Sequence, residues 1–387
     1  MKLWRLSILE RIFLDNASTT KPLKNVIGAV GKAMEEFYGN ASSLHKLGIK
    51  SEKIVRETRS YILRFLDNPG GNFYFTSGGT ESNNLAIFGS TNIKNLKGIV
   101  SSAIEHASVY NCVKHLENSG VKVKYLIPDS DFEISDEKIE NLISSDTDFI
   151  SVMHVNNETG MVLPIEKIAE VRNKKCPNAI FHVDAVQSFG KLFIDVRRLG
   201  IDLLSISAHK VHGPKGIGGL YVSKRINLHP IFFGGKQQNK IRPGTEPVAL
   251  ISGFKVALEL LDIRKNYEYV RHLNSYARKR FFRMHDIVIN SPFDSSPYIL
   301  NISVLGIKSE VLVNFLSEND IFVSSSSACT GNAKSHVLTA LNLPEERIDS
   351  AIRISFSIFN SEFDIDNLCE AIEKARETLI VPKRFYW

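Results

Sequence analysis

Residues 204–219 read LSISAHKVHGPKGIGG, an apolar run that passes through an amine, Lys210, set between two histidines, into a glycine-rich turn. The preceding IDLLSIS has the texture of a strand buried on both faces, and GPKGIGG supplies the backbone freedom that glycine gives most cheaply. Lys210 is therefore expected at the end of a buried strand, above a cleft, where an amine is able to form an imine with a carbonyl. A solvated surface lysine is the ordinary alternative for any single lysine. The neighbouring runs decide between the two.

Outward from this stretch, helical patterns alternate with short apolar runs: NFYFTS (72–77), KGIVSSA (97–103), VKVKYL (121–126), DFISVMHV (148–155), AIFHVDA (179–185), DLLSIS (202–207) and GGLYV (218–222). Such alternation predicts an α/β fold with a doubly wound, mostly parallel, seven-stranded sheet, which binds ligands beyond the carboxyl ends of its strands. From about residue 256 the texture shifts to long helical patterns, KVALELLDIRKNYEYVRHLNSYARKRFFRM among them, with shorter strands YILNISV and AIRISFSI. A second, smaller α+β domain is expected there.

The 387 residues are 43% hydrophobic and 23% charged, ordinary globular composition with room for two cores. A net charge of +6 is spread along the chain, and its densest basic cluster, ARKRFFR (277–283), reads as the solvated face of a helix backed by Phe281 and Phe282. No direct nucleic-acid binding is expected. Four cysteines without CxxC or metal-type spacing argue against a disulfide framework and a metal site, and favour a reducing, cytoplasmic setting. No run approaches the ~18 apolar residues of a membrane span, and the first eleven residues are too short and too charged for a secretory signal. Cys112 and Cys369 fall in amphipathic helical patterns as packing residues, and Cys176 precedes a proline in a loop.

Each apolar run ends in polar groups that would share one edge of the sheet. FYFTSGGTESNN breaks at Ser77-Gly78-Gly79-Thr80 into a helix, whose free N–H groups and Thr80 hydroxyl suit a phosphate as well as they suit a plain capped turn. Other runs end in Glu105-His106, in Asn156-Asn157-Glu158, and in Asp184 followed by Gln187 and Ser188. A carboxylate at such a place is costly unless paired. A cofactor with a phosphate, a basic ring nitrogen, a phenolic oxygen and an aldehyde would use the Gly-Gly-Thr turn, the aspartate, the glutamine and the lysine together. Pyridoxal 5'-phosphate (PLP) carries all four groups.

These residues resemble the class V aminotransferase fold, and within it a cysteine desulfurase of the NifS/IscS type. The resemblance runs through LDNASTT (14–20), GNASSLH (39–45), FTSGGTESNN (75–84), EH (105–106), MHVNNETG (153–160), HVDAVQSFGK (182–191), SAHKVHGPKGIGGLY (207–221), GGKQQNKIRPGT (234–245), SSSSACTG (324–331) and AIRISF (351–356). It implies a PLP-dependent transferase of fold type I, with a large PLP-binding domain over residues 15–257. A small domain formed by 1–14 and 258–387 would carry Cys329. It also implies Lys210 as the Schiff-base lysine, Asp184 as partner of the pyridine nitrogen, Gln187 as donor to the ring oxygen and His106 stacked on the ring. Gly79, Thr80, Ser207 and His209 would hold the phosphate, and Thr245 would reach it from a second subunit. Asn157 and Arg353 would bind the substrate carboxylate, Arg353 as a planar bidentate donor.

The activity so implied converts L-cysteine to L-alanine, with Cys329 taking the sulfur as a persulfide and Lys210 and His106 moving protons. A homodimer and a sulfur-acceptor protein are implied as partners, the acceptor an iron–sulfur scaffold or a tRNA-thiolation enzyme. Small polar residues around Cys329 suit a nucleophile that must deliver sulfur elsewhere. The sequence departs from the family at Ser326, where glycine is usual, in a stretch after Cys329 about two residues shorter than in the housekeeping enzymes, and in a short tail, ETLIVPKRFYW. These departures leave the acceptor open. A selenocysteine lyase or another β-eliminating lyase would keep the same fold without needing Cys329, and a non-catalytic partner-binding protein would need none of Lys210, Asp184, Arg353 and Cys329.

Overall fold

The computed structural model describes residues 11–91, 96–129, 132–325 and 334–379. The chain forms two compact units. The larger comprises Thr19–Asn157 and Met161–Arg264, and the smaller the described residues of Met1–Ser18, Glu158–Gly160 and Lys265–Trp387. Glu158–Gly160 thus group with the smaller unit although both flanking stretches belong to the larger.

After β1 (Ile12–Phe13), the larger unit is built on β2 (Asn72–Thr76), β3 (Gly98–Ser102), β4 (Lys122–Leu126), β5 (Phe149–Met153), β6 (Ile180–Asp184), β7 (Leu203–Ser207) and β8 (Gly218–Val222). They form one sheet in the order β2-β8-β7-β6-β5-β3-β4, with only β8 antiparallel to its neighbours. All seven expected strands are present. Strands β5, β7 and β8 are buried at every residue, which is why FISVM, LLSIS and GGLYV read as continuous rather than alternating runs. The edge strand β4, KVKYL, alternates and carries lysines outward.

Helices α1 (Lys24–Glu36), α2 (Lys46–Phe65), α3 (Gly79–Ser90), α4 (Ala107–Asn118), α5 (Asp136–Leu142), α6 (Ile165–Lys175) and α7 (Val248–Glu259) accompany the sheet. Helix α2 buries Val55, Thr58, Ile62 and Leu63, the stripe expected of an amphipathic helix. At the start of β7 the buried Asp202 accepts from Arg172 Nη2 at 2.7 Å and from the Phe181 amide at 2.9 Å, and Arg225 closes the cluster. Gly219 in β8 faces a ring with no room between them, since a Cβ there would lie 1.9 Å from Phe73 Cζ.

The smaller unit pairs β9 (Ile287–Ile289), β10 (Ile299–Val304), β12 (Ser324–Ser325) and β13 (Ala351–Ser355) in the antiparallel order β12-β13-β10-β9, while β11 (Ile321–Phe322) pairs with β1. Its helices are α8 (Ile263–Phe282), α9 (Ser309–Glu318), α10 (His336–Ala340), α11 (Glu345–Asp349) and α12 (Glu362–Leu379). The long helical pattern after residue 255 is thus two helices, interrupted at Leu260–Asp262 close to where the chain passes from one unit to the other. Phe281 is buried as expected, but Phe282, one step further around α8, is 87% exposed. Cys176 lies in the loop just after α6, as expected, and is buried there. No described helix is long and apolar enough to cross a membrane.

Candidate active site

Because β2, β3, β5, β6 and β7 run parallel, their carboxyl ends deliver the chain to one edge of the sheet. Gly79, Thr80, His106, Asn157, Asp184, Gln187, His209 and Lys210 there line a single cavity of about 210 Å³ in the larger unit. All eight were expected from the sequence.

Asp184 is the last residue of β6 and is 4% exposed. Its Oδ1 accepts from the Val186 amide at 2.9 Å and its Oδ2 from Asn83 Nδ2 at 2.8 Å. Lys210 ends the single 3₁₀ turn Ala208–Lys210 that follows β7 directly. His209 in the same turn has its basicity lowered to about 4, by burial first and by the positive charges of Lys210, Lys215 and Lys191 after it. Gln187 accepts from Lys191 Nζ at 3.4 Å through Oε1.

His106 caps α4: its Nδ1 accepts from the Ser108 amide at 3.2 Å and lies 2.7 Å from Ser108 Oγ. Beside it Glu105 is fully buried, accepting from the Met153 amide at 2.7 Å and from Ser102 Oγ. Burial, reinforced by Asp184, pushes the Glu105 carboxyl up to about 8.

Ser207 ends β7 with its Oγ buried and without a hydrogen-bond partner among the described residues, near Gly78, where a Cβ would lie 3.8 Å from it. Thr245 is exposed and is not among the residues lining the cavity. Arg353 lies in β13 of the smaller unit, 7% exposed, where its Nη2 donates to Asp15 Oδ1 at 2.9 Å and to Ser324 Oγ at 3.2 Å. In the same unit Glu158 accepts from Ser335 Oγ at 2.6 Å, and burial raises its carboxyl to about 7 against the pull of Ser335 and Arg353. Cys329 lies outside the described residues, as does Ser326.

The donor set fits PLP. An amine, a buried carboxylate and an imidazole face one space, as a basic aromatic aldehyde requires. The unsatisfied Ser207 hydroxyl near the start of α3 is what a phosphate would satisfy, and the amino end of that helix favours an anion. At Gly79 a Cβ would lie 2.7 Å from Val186 Cγ2, so only glycine lets the start of α3 approach the wall.

Sequence reasoning missed Asn83, Ser108, Met153, Val155 and Val186, which also line the cavity. Asn83 sits one helical turn beyond Gly79, so the spacing in GGTESNN held a signal for it. Nothing in the local sequence marks the other four.

The class-V aminotransferase family model matches residues 12–368. A protein of Dictyoglomus turgidum named cysteine desulfurase IscS is 36% identical, the match covering 97% of this chain and 98% of the relative. A solved NifS-like protein superposes with a TM-score of 0.89 at 32% identity, over 95% of this chain and all of its own. A second solved structure, SspA in complex with cysteine, gives a TM-score of 0.78 at 34% identity, over 90% of this chain and all of its own. Matched in sequence and fold along nearly its whole length, this chain belongs to the class-V aminotransferase family, in the group of the IscS and NifS-like cysteine desulfurases.

Proposed function

We propose that this chain is a PLP-dependent cysteine desulfurase that converts L-cysteine to L-alanine and takes the sulfur onto Cys329. The observation that carries this reading is the cavity in which Lys210, Asp184, His106 and Gln187 meet. The names of the relatives, and the cysteine complex of one solved neighbour, favour cysteine over the lyase and binding-protein alternatives.

Bound PLP would supply an electron sink for the substrate's α-carbon. Lys210 would hold the cofactor covalently and, once displaced by substrate, its Nζ would take the α-proton. Asp184 would face the ring nitrogen, Gln187 the ring oxygen, and Gly79, Thr80, Ser207 and His209 the phosphate. Asn157 and Arg353 would bind the substrate carboxylate. The Cys329 thiolate would attack the substrate sulfur, forming an S–S bond as the C–S bond breaks and its electron pair passes to carbon; proton delivery, with His106 as donor, completes alanine. The balance is cysteine plus enzyme thiol giving alanine plus enzyme persulfide.

In this reading the larger unit is the cofactor-binding domain and the smaller, whose sequence contains Cys329, supplies the nucleophile. The enzyme is a homodimer: Leu44 and Phe233 are 94% and 90% exposed in the single chain, and Ile27 and Met34, two turns apart on α1, are also open. Thr245, exposed and absent from its own cavity lining, would complete the phosphate site of the partner. Sulfur then passes to an acceptor protein, an iron–sulfur scaffold or a tRNA-thiolation enzyme.

The test is a brief exposure of the PLP-loaded protein to cysteine without reductant, followed by alanine assay and peptide mass spectrometry. One alanine formed per sulfur found on the Cys329 peptide supports the reading. Undiminished alanine formation by Cys329→Ala sinks it in favour of a lyase.

A further inference from the structure

The carboxylate of Asp184 can only accept hydrogen bonds, so the amide facing it must present its nitrogen. Asn83 does so with both protons: Nδ2 donates to Asp184 Oδ2 at 2.8 Å and to Ser108 Oγ at 2.8 Å. Having accepted there, the Ser108 hydroxyl keeps one proton, and His106 Nδ1 stands 2.7 Å away to receive it. The Ser108 backbone amide donates to the same Nδ1 at 3.2 Å. A nitrogen that accepts from two donors carries no proton of its own, so the neutral ring bears its proton on Nε2.

Two donors that cannot reverse give this chain its direction, the Asn83 carboxamide nitrogen at one end and the Ser108 backbone amide at the other, whereas a serine hydroxyl or an imidazole can reverse. Asn83 is 1% exposed, and its Oδ1 is buried with no hydrogen-bond partner among the described residues. An unsatisfied buried carbonyl is a cost that a purely space-filling residue would not carry.

We propose that Asn83 and Ser108 are positioning residues that join Asp184 to His106, orienting the aspartate carboxylate and holding the histidine with its proton on Nε2. The proposal rests on the roles given above to Asp184 and His106. It gives the proton donor a defined donating atom before substrate arrives. The other titratable groups lining the same cavity are His209 and Lys210, and Glu105 adjoins His106 in the chain.

The test uses nitrogen-15 NMR of histidine-labelled apoprotein, with His106→Gln to identify the resonance, together with equilibrium dialysis against PLP. The wild-type ring should show a protonated Nε2 and an unprotonated Nδ1. Asn83→Asp keeps the shape but removes the donor and sets two carboxylates together. It should weaken PLP binding roughly 10- to 100-fold and move the His106 titration to higher pH. Ser108→Ala cuts only the far link, so it should alter the His106 titration with the smaller loss of PLP affinity. A wild-type ring protonated on Nδ1 overturns the proposal. So does an Asn83→Asp protein with unchanged His106 titration and PLP affinity; should that variant fail to fold, an unchanged His106 titration in Ser108→Ala overturns it. The ring measurements need no cofactor, so failure of the wild type to bind PLP would count against the proposed function and leave them standing.

Discussion

At the scale of single residues, the chemistry of this site depends on where charge is permitted. Glu105 and Asp184 are both buried carboxyls, yet Asp184 accepts from Asn83 and Val186 while Glu105, pushed up to about 8, is held as the acid at neutral pH. A carboxyl whose folded value is raised leaves stability fully present below its unfolded value of about 4.5 and takes it away as pH rises through 8. Glu105→Gln, which mimics the acid, should therefore melt close to wild type at pH 5 and clearly above it at pH 8.5. Equal offsets at both pH values in thermal melts would mean that Glu105 is ionised in the fold.

At the scale of elements, the sheet is held by close approach on one strand and by charge pairing on another. In β8, Gly219 faces the Phe73 ring, and adding a methyl group forces Phe73 or the strand aside. Gly219→Ala should cost about 1 to 3 kcal/mol, read as a lower denaturation midpoint. At the start of β7 the side chains of Asp202 and Arg172 are 2% and 6% exposed. Asp202→Ala strands the Arg172 guanidinium and should cost about 3 to 5 kcal/mol in the same measurement. The exposed Arg225 should contribute little of that. Loss below 1 kcal/mol would show that water replaces the carboxylate.

For the whole molecule, the stability profile follows from buried groups of opposite sign. Burial lowers His182 to about 3 and His154 and His209 to about 4, so each stays neutral in the fold while the unfolded chain binds a proton near 6.5. Their contribution is present above 6.5 and is lost as pH falls towards 4. Glu158 and Glu105, raised to about 7 and about 8, work the other way, losing stability as pH rises. Burial also lowers His212 and raises Glu246, so one more group joins each side. Between about 4.5 and 6.5 the histidines, which take up protons only in the unfolded chain, outnumber the carboxyls that hold them in the fold, and stability rises with pH there. Apoprotein stability should thus peak near neutrality and fall on both sides, and His182→Gln should flatten the acid limb. A maximum below pH 5 in chemical denaturation would contradict this assignment.

The sequence by itself determined the sheet and eight of the residues that line the cavity. Parallel strands covered on both faces need unbroken apolar runs, and a site at their carboxyl ends must be built from the residues that follow, so Asp184, His106, Asn157 and Lys210 were legible in order. Helices were legible as stripes, but their rotation and their breaks were not: Phe282 faces out, and the pattern after residue 255 divides at Leu260–Asp262. Only the tertiary structure decided that Asn83 links Asp184 to Ser108 and His106, that Glu105 lies sealed beside them, and that Glu158 groups with the smaller unit. The physical reason is that strand burial is a property of a short segment, whereas a hydrogen-bond network and a carboxyl's proton depend on atoms brought together from segments far apart in the chain.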